Sequence, residues 1–399
     1  MKWEKKKLCE CTEYITDGDH QPAPKADKGV HFIKIKDIVN NQVSFDAQVY
    51  VPQEYYDNLP MERKPQKEDI LYTVVGSFGI PSYVQTDELF CFERNIALLH
   101  PNKDIEPRFL YYSLKNPAFY KGVEIVANGS AQKLIPLSKL KDLKISVPDK
   151  EAQRHIADIL SAYDDLIENN QRQIKLLEEA AQRLYKEWFV DLRFPGHENT
   201  KIVDGVPEGW SKSTVSEVSA VLRRGISPKY NEKARGIVIN QKCIRQTIVS
   251  YDEARTQEKK YPTELELKEA DIAICSTGAG TLGRVGQIYE VRENTTLDSH
   301  VTLIRANEKI GQQYLFWSLK MQQDYLMSAG KGSTNQLELS RETIGNCKIL
   351  IPEQKIAEQA EKNFAAIHDK MKECSMQIAR LREARDLLLP KLMSGEVEV

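Results

Sequence analysis

The sequence predicts an α+β protein: two mixed, strand-rich domains in tandem, each followed by a long helix, the two helices packing as an antiparallel coiled coil with pseudo-two-fold symmetry. Three observations predict it. Between Glu151 and Phe189 the seam residues Ile156, Leu160, Tyr163, Ile167, Asn170, Ile174, Leu177, Ala181, Leu184 and Trp188 advance in strides of four and three, a heptad stripe that needs a partner helix. Adding 204 to each number gives a second series: Ala360, Phe364, Ile367, Met371, Cys374, Ile378, Leu381, Arg385, Leu388 and Leu392. The stretches before the two stripes also correspond. Asp69-Ile70-Leu71 answers to Asp271-Ile272-Ala273, Gly129-Ser130 to Gly332-Ser333, Ile145–Pro148 to Ile349–Pro352, and Trp3 to Trp210. The chain reads as a duplication of a domain plus a helical arm.

Residues 1–150 form the first domain. FIKIKDIV alternates as a half-buried strand, and ILYTVVGSFG and FCFERNIALLH are further strands broken by glycine and proline. Glu106–Tyr120 has helical spacing, and VANGSAQKLIPLSKLKDLKISVP runs as loop, turn and final strand. Pro148 leads into the first arm, residues 151–192, with acidic residues in its first turn. Residues 193–209, with Pro195, Gly196, Pro207 and Gly209, are a linker by composition. The second domain spans 210–352, the second arm 353–392 and a tail 393–399. The step Ile356–Ala360–Phe364 makes two strides of four, so the second arm starts less regularly. Asn170 and Arg385 interrupt the seam, either as tolerated defects or as residues that fix the register.

Composition sets the bounds. The chain has 399 residues, 41% apolar and 29% charged, enough for two or three folded domains. The net charge of −2 does not exclude a local basic face. Seven scattered cysteines without a C-x-x-C pattern suit a reducing compartment. MKWEKKKLCECTEY has no apolar core and no run reaches 18 apolar residues, so a cytoplasmic protein with no membrane partner is expected.

Two motifs resemble catalytic ones. Gly278-x-Gly280-x-x-Gly283 follows a strand as in a nucleotide or S-adenosylmethionine loop, but RVGQIYEV after it alternates like a strand instead of opening a helix. The copy-one equivalent, VVGSFGIPSY, lacks the triplet, so both positions read as tight β-turns. Asn116-Pro117-Ala118-Phe119 resembles an amino-methyltransferase motif but lies in a helical segment. Asp298-x-His300 reads as a polar contact. No catalytic residue set, metal site or cofactor is assigned to this chain.

What remains is binding. NGSAQKL (128–134) and KGSTNQL (331–337) offer Asn128, Ser130, Gln132, Lys133, Lys331, Ser333, Thr334, Asn335 and Gln336 on glycine-loosened backbone. Such groups suit base edges and phosphates, the plainer alternative being a polar turn. Lys34, Lys36, Arg223, Arg224, Lys229, Asn240, Gln241, Lys242 and Arg245 stand at expected strand edges or loops and serve either DNA or solvent.

With the duplication in view, the chain resembles specificity subunits of type I restriction–modification systems. FIKIKDI, GS…L…IPLSKLKDLKISVP, WFVDLRFPGHE…VPEGW and the terminal LLLPKLMSGEVEV carry the resemblance. It implies a non-catalytic reader of double-stranded DNA whose two target-recognition domains each bind half of a bipartite, asymmetric sequence. The arms would set the unread spacer and dock two methyltransferase (modification) subunits bearing S-adenosylmethionine. Motor-nuclease (restriction) subunits using ATP and Mg would join for restriction. The alternatives are an autonomous adenine-N6 DNA methyltransferase and a coiled-coil protein-binding scaffold.

Overall fold

The computed structural model describes residues 3–39, 41–46, 49–129, 133–330 and 337–399. The chain divides into two compact units, Met1–Glu168 with Ile378–Val399, and Asn169–Gln377. Each unit therefore combines one head with a half of each arm, a division that cuts across the boundaries expected from sequence.

The two heads share one strand order. In unit 1 the strands Thr12–Asp17, Ile96–Pro101, Ile70–Thr73 and Pro81–Tyr83 lie side by side, all antiparallel. In unit 2 Ser219–Arg224, Val301–Ala306, Ile272–Cys275 and Val285–Gln287 repeat that order. Each head adds a three-stranded sheet with one antiparallel and one parallel pair. In unit 1 it is built around Val30–Ile33, in unit 2 around Gly236–Ile239. A ribbon of two strands closes each head, Glu4–Lys7 with Lys144–Val147 and Ser211–Thr214 with Lys348–Ile351. The central strands IALLHP, ILYT, VTLIRA and IAIC are buried on both faces. That accounts for their continuous apolar runs.

A buried aspartate starts the equivalent strand in both heads. Asp69 Oδ2 accepts the Gln66 N–H and Asp271 Oδ2 the Lys268 N–H, each at 2.7 Å. The turn before the strand is thus satisfied without water. The second oxygen differs: Asp69 Oδ1 meets His100 Nδ1 at 2.6 Å, whereas Asp271 holds Arg305 through two bonds of 2.7 and 2.5 Å.

The arms are the helices Lys150–Tyr185 and Gln354–Ser394. Ile156, Ala157 and Leu160, from the start of the first arm, and Leu389, Leu392 and Met393, from the end of the second, share the core of the first head. In unit 2 Ala360 and Phe364 stand where Ile156 and Leu160 stand, and Tyr185, Trp188 and Phe189 answer to Leu389, Leu392 and Met393. Inside each unit the arm segments therefore run antiparallel, burying side chains worth about 1.5–3 kcal/mol apiece. Ile167, Asn170, Met371 and Ile378 are buried along the seam, while Ile174, Leu177, Leu184, Leu381 and Leu388 are half-buried. The first arm ends in a π turn, Lys186–Val190, and Pro390 occupies the matching place in the second. Both devices interrupt the regular ladder there.

Arg385 is no frayed defect. It ion-pairs with Asp164 of the first arm, whose other oxygen accepts the Tyr112 hydroxyl at 2.8 Å and faces Lys115 at 3.7 Å. In unit 2 the corresponding junction is aromatic. His368 stacks on Tyr289 at 4.3 Å, and the Tyr289 hydroxyl points to Met371 Sδ at 3.6 Å.

Several local expectations are corrected. FIKIKDIV is not one strand: Val30–Ile33 ends at Lys34, and Ile35–Asp37 is a 3-10 turn that Asp37 closes through the Lys34 N–H at 2.9 Å. Glu106–Tyr120 is two helices, because Asn116-Pro117 ends one at Lys115 and starts the next. The run to Val147 contains a helix, Leu137–Asp142, between loop and strand. The linker is anchored: Phe194 is buried against Trp210 at 4.6 Å, and Ile202–Val203 pairs with Val206–Pro207.

Candidate nucleic-acid interface

In each head, loops of four kinds meet at the carboxyl end of the strand that starts with the buried aspartate. Backbone bonds fix them in the same way. Val74 N–H donates to Asn95 O and Ser276 N–H to His300 O, at 2.9 and 2.8 Å. Ile135 and Leu339 then donate to Val74 and Ser276 at 2.9 and 2.8 Å, bringing in the loops expected to read DNA. Gly79 and Gly283 donate to Thr73 and Cys275 at 2.8 Å, closing the glycine hairpins. Glu93 and Asp298 donate to Ile33 and Ile239 at 3.0 and 2.9 Å, which brings the turns Ile35–Asp37 and Gln241–Cys243 alongside.

Lys34 and Lys36 thus occupy the same turn in the first head as Asn240 and Lys242 in the second. Lys36 and Lys242 are exposed, and neither has an ion pair among the described residues. Lys34 lends its backbone to Asp37, and Asn240 accepts the Lys242 N–H at 2.8 Å. Asn128 closes its loop through two backbone bonds to Leu134, both 2.8 Å. The Lys133 carbonyl accepts the Gly76 N–H at 3.1 Å, and its ammonium lies 5.5 Å over the Phe78 ring. Ser130, Gln132, Lys331, Ser333, Thr334, Asn335 and Gln336 lie outside the described residues.

Other basic candidates are already engaged. Arg224 bonds Glu338 at 2.7 Å and the Leu339 carbonyl at 2.9 Å, within the loop cluster. Arg223 is paired with Glu264, Lys229 with Glu258, and Arg245 with Glu253 at 3.6 Å. Lys229 sits beside Gln257, at the end of the three-stranded sheet away from the Asn240 turn. The structure does not bring Arg223 or Lys229 to the loop cluster.

Sequence reasoning missed Arg94 and His300. Arg94 is exposed on the turn between Phe90–Phe92 and Ile96–Pro101. His300 occupies the equivalent turn of the second head; its Nδ1 bonds Thr277 Oγ1 at 2.6 Å, while Asp298 Oδ1 accepts its backbone N–H at 2.8 Å. Gln241 Oε1 is buried without a partner among the described residues, beside Gly278. The signal available was positional: His300 follows Asp298 at the offset that puts Asn95 after Glu93.

The motif that resembles a cofactor loop is the hairpin joining Ile272–Cys275 to Val285–Gln287, so no helix presents N–H groups to an anion there. Asn116 is occupied as a helix cap, accepting the Ala118 N–H at 3.0 Å. Among the described residues no helix is long and apolar enough to cross a membrane.

Residues 1–179 match the family described as Type I restriction modification DNA specificity domain. The chain is 28% identical over 323 residues to the MjaIX type I restriction enzyme specificity subunit of Methanocaldococcus jannaschii, covering 77% of this chain and 72% of that one. It is 25% identical to the HindI specificity subunit of Haemophilus influenzae, covering 92% and 94%. The crystal structure of a type I restriction–modification S subunit from M. genitalium superposes with a TM-score of 0.59 at 19% identity, covering 98% and 96%. That last likeness is one of fold.

Proposed function

We propose, from a chain that belongs through residues 1–179 to the type I restriction modification DNA specificity domain family, that it is the non-catalytic DNA-reading subunit of such a system. Each head reads half of a bipartite, asymmetric target through its loop cluster. The arms dock two methyltransferase subunits that bring S-adenosylmethionine, and motor-nuclease subunits bring ATP and Mg. One observation carries the reading: both heads build the same loop cluster from matching backbone bonds, yet fill it with different side chains. A shared frame with two different surfaces is what two unlike half-sites require.

The lysines Lys34, Lys36, Lys133 and Lys242, without an ion pair among the described residues, meet phosphates, while Asn128, Ser130, Gln132, Gln241, His300 and residues 331–336 meet base edges. Arg224 holds Glu338 and the Leu339 carbonyl in the second cluster. The test assembles the chain with its methyltransferase and selects binding sites from random DNA. Replacing Gln132 by Ala should relax only the half-site of the first head, and His300→Ala only the other, each contact being worth about 1–3 kcal/mol. Loss of both half-sites from either change would overturn the assignment of one half-site per head.

A further inference from the structure

The glycine hairpin of the first head carries an aromatic side chain where the second head buries a leucine. Phe78 is half-buried, and its ring stacks on Tyr120 with centroids 5.9 Å apart and 13° between planes. Lys133 reaches over the same ring at 5.5 Å. Three separate elements build this arrangement. Gly79, at φ +84, has no side chain where a Cβ would lie 2.5 Å from the Tyr120 ring. Asn116 caps the helix that bears Tyr120, and the Gly76 N–H ties the hairpin to the Lys133 carbonyl. In the second head Leu282 takes the place of Phe78 and is buried, and the Tyr325 ring stands exposed. The aromatic ledge belongs to the first head alone.

We propose that Phe78, backed by Tyr120, makes the apolar contact that recognises a thymine 5-methyl group in the half-site of the first head, with Lys133 on the neighbouring phosphate. The proposal rests on the DNA-reading function above. A hydrocarbon ring has no hydrogen bond to offer a base edge, and the thymine methyl is the apolar group of the major groove. With Tyr120 stacked against it and Lys133 over it, Phe78 presents its remaining edge to a base pair instead of a free face for insertion between base pairs. The ammonium beside an apolar edge matches a methyl that lies close to the phosphate backbone.

The test uses the complex of this chain with its methyltransferase and duplexes in which each thymine of the first half-site is replaced in turn by uracil, which lacks only the methyl. One uracil position should weaken wild-type binding about four-fold, the worth of one buried methyl group. Phe78→Ala should lose a similar factor on thymine DNA and nothing further on uracil DNA, and Phe78→Leu should keep part of the thymine preference. Uracil in the second half-site should give the same result with wild-type and Phe78→Ala proteins. A complex that selects its target but ignores uracil throughout the first half-site overturns the ledge and leaves the DNA-reading function standing. An equal uracil penalty in wild-type and Phe78→Ala proteins overturns it too. A complex with no sequence preference at all overturns both.

Discussion

Head one and head two are the same backbone solved twice with different side chains. The strand order, the buried aspartate, the ribbon that closes the head and the bonds that gather the loops all recur. The partners of those aspartates do not. Asp69 faces a histidine, which can lose its charge, and Asp271 faces an arginine, which cannot. The arm junctions differ likewise, ionic in unit 1 and aromatic in unit 2. Backbone hydrogen bonds are obligatory wherever water is excluded, so residues that satisfy them are held fixed. A side chain that meets only another side chain can change as long as its partner changes with it.

The largest expected effect separates the two aspartates. Arg305→Ala leaves Asp271, fully buried, without its counter-charge, and should destabilise unit 2 by about 3–5 kcal/mol. His100→Ala should cost unit 1 less, about 1–3 kcal/mol. Burial already holds the Asp69 carboxyl above the usual carboxylate range, so it can take up a proton when its partner is removed. Peptide-resolved hydrogen exchange in denaturant reads each unit separately. An equal or larger loss from His100→Ala would show that the histidine is not the weaker partner.

Next comes the ionic junction. Asp164→Ala takes one of two carboxylates from Arg385, which keeps Asp386 at 2.7 Å, removes the carboxylate facing Lys115 and leaves the Tyr112 hydroxyl without its acceptor. Unit 1 should lose about 2–3 kcal/mol, since Arg385 is mostly but not wholly buried. If Arg385 only tolerates its place in the seam, Arg385→Leu will be stabilising and Asp164→Ala nearly neutral in thermal or chemical melts.

The aromatic junction should instead respond to acid. Burial holds the His368 imidazole below its ordinary value, its Nε2 has no partner among the described residues, and Asp369, Glu269 and Lys372 surround it. The folded unit therefore keeps this ring neutral where the unfolded chain would protonate it. Above about pH 6.5 both forms are neutral and nothing changes; below it the unfolded chain binds the extra proton and unit 2 loses stability. The loss should grow as the pH falls further below that point. His368→Phe, which keeps the stack on Tyr289, should flatten that slope. An unchanged slope would assign the acid response of unit 2 to other groups.

The sequence made the frame legible because period and offset survive a change of side chain. The seam residues and the Asp69/Asp271 pair could be found by counting alone. The loop cluster was half legible. Lys36 and Lys242 stood out as cations, but their equivalence required the 3-10 turns, which the alternation of FIKIKDIV disguised as strand. Arg223 and Lys229 were equally basic in sequence, and only their carboxylates, 41 and 29 residues away, reveal that they are engaged. His300 was read as a contact but not as a site residue, since its place in the cluster depends on a bond to Thr277 across the sheet end.

The smallest effect tests a positive charge that both clusters carry in the same turn. Lys36 and Lys242 hold the same position in the same turn, both exposed and both without an ion pair among the described residues. A cation with no carboxylate to leave can neutralise a phosphate at little cost, and each phosphate neutralised releases condensed counterions. Lys36→Ala and Lys242→Ala should each weaken binding of the assembled complex to every duplex alike, whether or not it carries the target. Each should also reduce the slope of log affinity against log salt by about 0.9. Arg223→Ala, which frees Glu264 and lies away from the loops, should change that slope little. The comparison is made by titrating target and scrambled duplexes at several salt concentrations. A loss confined to one half-site would make these lysines base readers, and an unchanged salt slope would remove the turn from the DNA face of both heads.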